Sequence, residues 1–169
     1  MKLLRKTVHP DIKDIAKCSV LKRLATRAIA VRDELVLLLY TARYDDFSLP
    51  GGGLDEGEDH IAGMMRELKE ETGAHNIREV KEFGIYEEYR PWYKPDFDIM
   101  HMISYCYTCQ VDEVLGETSF EHYEINNGMK PMWINISEAI EHNERTMAQS
   151  TKKGLSIERE TFLLKLLLK

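Results

Sequence analysis

The chain has 169 residues, 43% of them hydrophobic, which is enough for one globular domain with a substantial core and too short for two comfortable domains. Its 29 acidic and 23 basic side chains give a net charge of -6, which disfavours nonspecific binding to nucleic acid or to an anionic membrane. No apolar run reaches about 18 residues and the first residues soon turn polar, so we expect no membrane span, no secretion signal and a cytoplasmic protein.

Residues 1–19 are weakly patterned and are interpreted as an N-terminal arm or short helix preceding a main domain at 20–169. Four apolar side chains in this arm suit packing on the domain or on a partner subunit, which leaves a homodimer open: Leu3, Leu4, Ile12 and Ile15.

Two aliphatic segments, 20–31 and 35–43, predict strands, and Arg32, Asp33 and Glu34 between them predict a hairpin turn. Arg27 and Arg43 lie on these strands. An arginine can hold a phosphate with two hydrogen bonds, although an arginine on a strand is more often a salt-bridged surface group. Both interpretations stay open for these two side chains.

The following segment predicts a helix over 59–72. Asp59 suits the N-cap, Gly73 suits the left-handed stop, and an apolar face recurs at helical spacing: Ile61, Met65, Leu68 and Thr72. Three carboxylates share one stripe beside that face, those of Glu67, Glu70 and Glu71. Such a stripe is usually a solvated surface with ordinary ion pairs. Carboxylate oxygens are also the ligands that Mg²⁺ prefers, and a divalent ion would relieve their mutual repulsion.

The stretch 51–74 resembles the Nudix box, G-x5-E-x7-R-E-U-x-E-E-x-G-U, in which U is aliphatic. Each fixed position is matched: Gly52, Glu58, Arg66, Glu67, Leu68, Glu70, Glu71, Gly73 and Ala74. With residue frequencies of about 5 to 7%, a chance match at the invariant places is rarer than about one in a million. Ala74 is small for the last aliphatic position, but this departure does not touch the acidic set.

The resemblance implies a function for each residue of this stretch. The carbonyl of Gly51 and the carboxylates of Glu67, Glu70 and Glu71 would bind Mg²⁺, with Mn²⁺ as a substitute, and Glu58 would assist. Arg66 would hold the glutamates in place. Family members differ in which carboxylate takes the proton of the attacking water. In this chain it would come from the box or from Glu121 or Glu124, in a later loop that is otherwise an ordinary solvated segment.

Two more strands are predicted at 77–89 and 99–111, and two prolines make the intervening 90–96 a loop. Trp92 suits stacking on a nucleobase, and Arg90 and Lys94 suit a phosphate, although a packed surface loop is equally compatible. The resemblance adds Phe47, because an aromatic residue is frequent just before the Pro-Gly-Gly of this family.

Three cysteines suggest no disulfide framework. Cys106 and Cys109 form a C-x-x-C pair, but on a predicted strand residues three apart point to opposite faces, so we expect no shared metal site.

Towards the C-terminus we predict a strand at 129–136, a helix at 138–144 capped by Ser137, and a last helix from Ser156 to the chain end. Strands bracketed by helices suit an α/β fold, an α/β/α sandwich with a mixed β-sheet, which is also the fold that the Nudix resemblance implies.

The resemblance implies an enzyme that hydrolyses a diphosphate bond in a nucleoside diphosphate linked to another moiety, with a small-molecule nucleotide as its partner. Candidate substrates are ADP-ribose, a modified (d)NTP or a nucleotide sugar. Members acting on ADP-ribose share a proline downstream of the box, and Pro91 lies close to that place. The alternatives are a non-catalytic nucleotide-sensing module and an isoprenoid-diphosphate isomerase. The complete acidic set opposes the first alternative, and the cysteine and glutamate that the second requires are not placed convincingly.

Overall fold

The computed structural model describes residues 1–168, with seven strands and four α-helices. Lys169, the end of the predicted domain and last helix, lies outside this range. The strands are β1 (Leu3–Val8), β2 (Val20–Arg32), β3 (Leu35–Thr41), β4 (Asp46–Ser48), β5 (Arg78–Pro91), β6 (Ile99–Gln110) and β7 (Met129–Asn135). The helices are α1 (His60–Thr72), α2 (His122–Asn126), α3 (Ile136–Gln149) and α4 (Ile157–Lys165), and a short 3-10 helix spans Ile15–Lys17.

The sheet is mixed, in the order β1-β5-β6-β2-β3-β4, and β7 pairs with β3 beside this path. β2 and β6 run parallel over eleven paired residues from Val20 to Ala30, whereas β5 and β6 are antiparallel. The far end of β2 turns into β3 through Asp33, which has a positive φ of 54°. β2 therefore joins a large sheet to a small one made of β3, β4 and β7.

The N-terminal arm adds an edge strand to the large sheet. β1 pairs parallel to β5, from Leu3 opposite Ile85 to Val8 opposite Tyr89, and only Ile15–Lys17 form a helical turn. Parallel pairing with a strand far along the chain is a long-range contact, so local patterning in the arm could not indicate it.

Apolar side chains pack on both faces of the sheet, which gives the α/β/α sandwich that the sequence predicts. On one face, Met64 and Leu68 of α1 pack with Ala28 and Leu37. On the other face, side chains of α3 and α4 meet β2, β3 and β6, in a cluster that includes Ile29, Leu38, Cys106, Ile140, Leu163 and Leu164. Cys106 and Cys109 belong to opposite faces and are both free thiols, as expected from the strand period.

The ends of α1 agree with the prediction, and its buried face agrees in part, since Leu68 and Thr72 are fully buried. Asp59 accepts a hydrogen bond from the amide of Ala62 (2.9 Å), and Gly73 closes the helix with φ of 68°. Ile61, predicted as buried, is 40% exposed, whereas Met64 is fully buried. The buried face of α1 is therefore rotated about the helix axis relative to the predicted face, and Glu71 lies on its buried side.

Two predicted caps are also corrected. Asn135, not Ser137, caps α3, because its Oδ1 accepts from the amides of Ser137 (2.9 Å) and Glu138 (3.4 Å). Ser156 precedes α4 but makes no side-chain cap, since its hydroxyl accepts from Arg90 (3.2 Å) instead. α4 ends at Lys165, short of the chain end. Among residues 1–168, no helix is both long and apolar enough to cross a membrane.

Candidate active site

The loop before α1 lies flat against β2. The amides of Ala28 and Thr26 donate to the carbonyls of Pro50 (2.8 Å) and Gly52 (2.9 Å). Gly51 has φ of 144°, and a Cβ there would overlap the carbonyl oxygen of Thr26. A Cβ at Gly52 would lie 2.7 Å from a carboxylate oxygen of Glu67. Glycine at these places lets α1 bring its acidic stripe against the loop backbone.

Arg66 fastens three of the glutamates of this stretch. Its Nε and Nη2 donate to the two oxygens of Glu58 (2.9 and 3.1 Å). Its Nη1 donates to Glu67 (2.9 Å) and lies 3.5 Å from an oxygen of Glu70. The Arg66 hydrogen bonds, followed by that from the Asp55 amide, lower the pKa of Glu58. The resemblance implies that Arg66 holds the glutamates in place, and these contacts are compatible with that function.

The carboxylates of Glu71 and Glu124 are both buried, and each residue is 4% exposed. Glu71 accepts a hydrogen bond from the amide of Gly51 (2.7 Å). Burial raises the pKa of Glu71 well above its ordinary value; the Gly51 bond opposes this rise, and the nearby charges of Glu67 and Glu124 add to it. Glu124 comes from α2, so the later loop folds back onto the acidic helix.

This carboxylate arrangement suits a divalent cation. Burial, opposed by Arg66, also raises the pKa of Glu67, and the charges of Glu70 and Glu124 add to that rise. Within residues 1–168 no three acidic, histidine or cysteine side chains form a preformed cage. Arg66 and the Gly51 amide already engage the box glutamates, so side-chain movement would accompany ion binding. The carboxylates lie close together and little positive charge compensates them. Such oxygen ligands suit Mg²⁺, which also keeps several waters.

A cavity of about 690 Å³ opens beside these carboxylates. Gly51, Glu71 and Glu124 line it, and so do the aromatic rings of Trp92 and Tyr93. The two aromatic rings lie 4.4 Å apart, and Trp92 packs against a small apolar cluster around Met100 while its Nε1 donates to Asp96 (2.8 Å). An aromatic wall next to an acidic metal-type site is a suitable shape for a nucleotide.

The cavity includes some of the predicted substrate residues and not others. Arg27 and Arg90 line it along with Trp92. Phe47 instead packs into the core against Tyr40 and His142, because β4 alternation turns it away from the cavity.

Three further predicted residues lie outside the cavity wall. Arg43 is exposed, bonded to Asn127 (3.2 Å). Lys94 is exposed over the Trp92 and Tyr93 rings at 6.0 and 5.6 Å, on the solvent side of the loop. Glu121 is exposed as the N-cap residue of α2. Arg43, predicted on a strand, lies in the turn after β3, which ends at Thr41, and Lys94 lies in the loop between β5 and β6.

A buried ionic network beneath the cavity escaped sequence reasoning. Arg159 of α4 donates to Glu160 (2.6 Å) and Glu88 (2.9 Å), and Glu160 accepts from the amide of Leu49 (2.9 Å). Arg27 lies 3.9 Å from Glu160, and its buried Nε has no hydrogen-bond partner within residues 1–168. The sequence offered one signal, an Arg-Glu pair among the apolar residues of the last helix.

A family model described as "NUDIX domain" matches residues 21–155, which is most of the chain. The chain belongs to the NUDIX family. It is 60% identical over 30 residues to "Nudix hydrolase 26, chloroplastic" of Arabidopsis thaliana, covering 18% of this chain and 14% of that protein. It is 30% identical over 110 residues to "Diphosphoinositol polyphosphate phosphohydrolase NUDT4B" of Homo sapiens, covering 64% and 54%.

The NUDIX fold is also seen in solved structures. A "NUDIX hydrolase from Nitrosomonas europaea" superposes with a TM-score of 0.58 at 19% identity, covering 88% of this chain and 91% of that one. The chain spans between about an eighth and about half of the length of the curated relatives it matches. The match to the family model therefore shows the family, and the superposition on a solved structure shows the fold.

Proposed function

We propose that the chain is a divalent-metal-dependent hydrolase of a diphosphate bond in a nucleoside diphosphate linked to another moiety. The observation that carries this proposal is that the buried carboxylates of Glu71 and Glu124 both line a cavity large enough for a nucleotide. The names of the family members to which the chain is similar, which are hydrolases and a phosphohydrolase, support it.

The ion is proposed to be Mg²⁺, with Mn²⁺ as a substitute, held by Glu67, Glu70, Glu71 and the carbonyl of Gly51, with Glu58 assisting. When bound, such an ion neutralises developing oxyanions and lowers the pKa of a bound water. Arg66 supplies the fixed geometry, since one guanidinium contacts three carboxylates of the set. Arg27, buried between Glu71 and Glu160, supplies positive charge where a phosphate would enter.

Glu124 is the better of the two later candidates for taking the proton of the attacking water. Its carboxylate lies in the cavity wall and is oriented by the amide of Glu121 (2.6 Å) and the hydroxyl of Tyr123 (3.2 Å). Burial, together with the charge of Glu124, raises the pKa of Tyr123, so this hydroxyl stays a donor at neutral pH. Glu121, the N-cap residue of α2, is exposed and does not line the cavity.

The test is turnover of the purified chain against ADP-ribose, modified and ordinary (d)NTPs and nucleotide sugars, with product release measured in Mg²⁺ and in excess EDTA. We expect hydrolysis in Mg²⁺ alone. Glu71→Gln should lower it by about 10² to 10⁴-fold with the fold intact, because the substitution removes charge but keeps size. Glu117→Gln, a change of an exposed glutamate, is the matched control and should leave the rate unchanged.

The pair Glu124→Gln and Glu121→Gln tests the choice of base, because both residues lie on one short element and only one reaches the cavity. We expect a large loss for Glu124→Gln alone. Binding of nucleotides without any turnover would instead indicate a non-catalytic sensing module. Isomerisation of an isoprenoid diphosphate would indicate an isomerase. Equal losses from the two substitutions would contradict the assignment of Glu124.

We also propose that the N-terminal arm mediates a homodimer. β1 is the edge strand of the large sheet, and unpaired strand edges readily accept another strand. Leu3 and Val8 are 49% and 44% exposed there. Sedimentation of the full chain and of Leu3→Lys distinguishes the two states, since a dimer formed through this edge should dissociate in the variant.

A further inference from the structure

One face of the small sheet forms a polar floor in the cavity, here called the β3–β4 floor and defined by Thr41, Asp46 and Ser48. Antiparallel pairing places Thr41 opposite Asp46 and Leu39 opposite Ser48. Strand alternation turns Asp46 and Ser48 into the cavity and Phe47, between them, into the core. None of these three polar residues belongs to the box or is needed to hold its metal.

The carboxyl of Asp46 faces the cavity and has no protein partner in the part of the chain that the structure describes. Its oxygens keep contact with the cavity, because the fully enclosed side-chain polar atoms without a partner within residues 1–168 are Arg27 Nε and Ser104 Oγ. Asp46 is 6% exposed and Thr41 5% exposed, and within residues 1–168 neither side chain makes a hydrogen bond or an ion pair. The neighbouring Asp45 is the opposite case, since Tyr40 (2.8 Å) and His142 (3.1 Å) occupy one of its oxygens. Polar groups at such positions are nearly all hydrogen-bonded, either to the protein or to water. A cavity-facing carboxyl that the chain leaves unpaired is therefore suited to a partner supplied by a ligand.

The position of Asp46 selects which part of a ligand it would contact. It lies on β4, five residues before Gly51, and lines the same cavity as Glu71 without belonging to the acidic helix. Trp92 and Tyr93 line the same cavity. A nucleotide with its diphosphate at Glu71 and its base or sugar near the aromatic wall would bring the nucleoside part within reach of the floor.

The charge state of Asp46 selects the ligand chemistry. Burial, followed by the charge of Glu160, raises the pKa of Asp46 to about 6, so the carboxylate form dominates at neutral pH and above. A carboxylate only accepts hydrogen bonds and can take two from adjacent donors. The 1-NH and 2-amino groups of guanine form such a pair, and so do the two ribose hydroxyls. The corresponding edge of adenine offers one donor beside an acceptor.

Building on the proposed function, we propose that Asp46 is a specificity-determining residue that accepts hydrogen bonds from two adjacent donors on the nucleoside part of the ligand. The donors are the guanine edge or the ribose diol, and the hydroxyls of Thr41 and Ser48 complete the floor around them. Asp46 is not one of the proposed metal ligands, so in this function it would select among substrates that share the same reacting group.

The experiment titrates the full chain, in Mg²⁺, with GDP, IDP, dGDP and ADP by calorimetry. IDP differs from GDP only by the missing 2-amino group, and dGDP only by the missing 2′-hydroxyl. If the base edge is read, GDP should bind about 5 to 150-fold more tightly than IDP; if the diol is read, the same factor should separate GDP from dGDP. Ratios below about 2 for both pairs would overturn the proposal.

Two variants make the result specific to Asp46. Asp46→Asn replaces two acceptors by one donor and one acceptor at constant size, so the discriminating ratio should fall to about 1 or invert. Asp45→Asn changes the neighbouring carboxylate, which faces Tyr40 and His142, and should keep the ratio even if it lowers stability. An unchanged ratio in folded Asp46→Asn would also overturn the proposal.

The binding ratio tests the proposal for Asp46, the turnover assay tests the proposed hydrolase, and each proposal can be refuted without the other. A discriminating ratio that depends on Asp46 in a chain that hydrolyses none of the substrates would keep this inference and remove the proposed hydrolase. Hydrolysis that depends on Glu71 but shows no Asp46-dependent ratio would do the reverse.

Discussion

Arg159→Met should destabilise the fold strongly, because two buried carboxylates lose the cation that they both contact. The Arg159 guanidinium is 2% exposed and lies 2.6 Å from Glu160 and 2.9 Å from Glu88. Removing one partner of a buried ion pair costs about 3 to 5 kcal/mol. Arg90 still lies 3.3 Å from Glu88, and Arg27 lies 3.9 Å from Glu160, so partial neutralisation remains. We therefore expect a loss near the lower end, about 3 kcal/mol.

The assay is urea unfolding followed by tryptophan fluorescence, together with thermal melting. For a chain of this size a loss of about 3 kcal/mol corresponds to a fall in Tm of roughly 6 to 12 °C. Arg78→Met is the matched control, because its pair with Asp112 spans a similar 3.2 Å but both side chains are 42% or more exposed. Exposed pairs contribute about 0 to 1 kcal/mol. Equal losses in the two variants, or a loss below about 1 kcal/mol for Arg159→Met, would refute the reasoning from burial.

Three other results are expected. Asn143→Leu should lower the free energy of unfolding in urea by about 2 to 5 kcal/mol, because it leaves two buried backbone groups of Phe47 unpaired. Asn143 donates to the Phe47 carbonyl (2.9 Å) and accepts from the Phe47 amide (2.8 Å). A loss below about 1 kcal/mol would contradict this prediction. Trp92→Ala should raise KM for the best nucleotide by roughly 5 to 150-fold with kcat nearly unchanged, and a fall in kcat alone would argue against base stacking. The contribution of Asp46 to the free energy of unfolding should fall as pH rises. Burial raises its pKa from 3.8 to about 6, so this contribution is fully present below about pH 4 and is lost as pH rises through about 6. Relative to wild type, Asp46→Asn should thus gain about 1 to 3 kcal/mol between pH 4 and 7.5 in urea unfolding, and a pH-independent difference would count against the raised pKa.

Local spacing in the sequence was enough to determine the acidic helix. A cap, a left-handed stop and a helical repeat lie within one short stretch, so the ends of α1 and the common stripe of Glu67, Glu70 and Glu71 follow from helix geometry alone. The opposite faces of Cys106 and Cys109 follow in the same way from the strand period. These features depend on neighbours along the chain.

Only the tertiary structure decided which groups share the cavity. Glu124 reaches Glu71 because a later loop folds back onto α1, whereas Glu121, three residues earlier, stays in solvent. Strand alternation predicts that Asp46 and Phe47 face opposite ways, but the packing of α3 decides that Phe47 takes the core side. A periodic pattern determines which residues share a face. What that face meets depends on contacts between segments that are far apart in the chain, and these contacts leave no local signature.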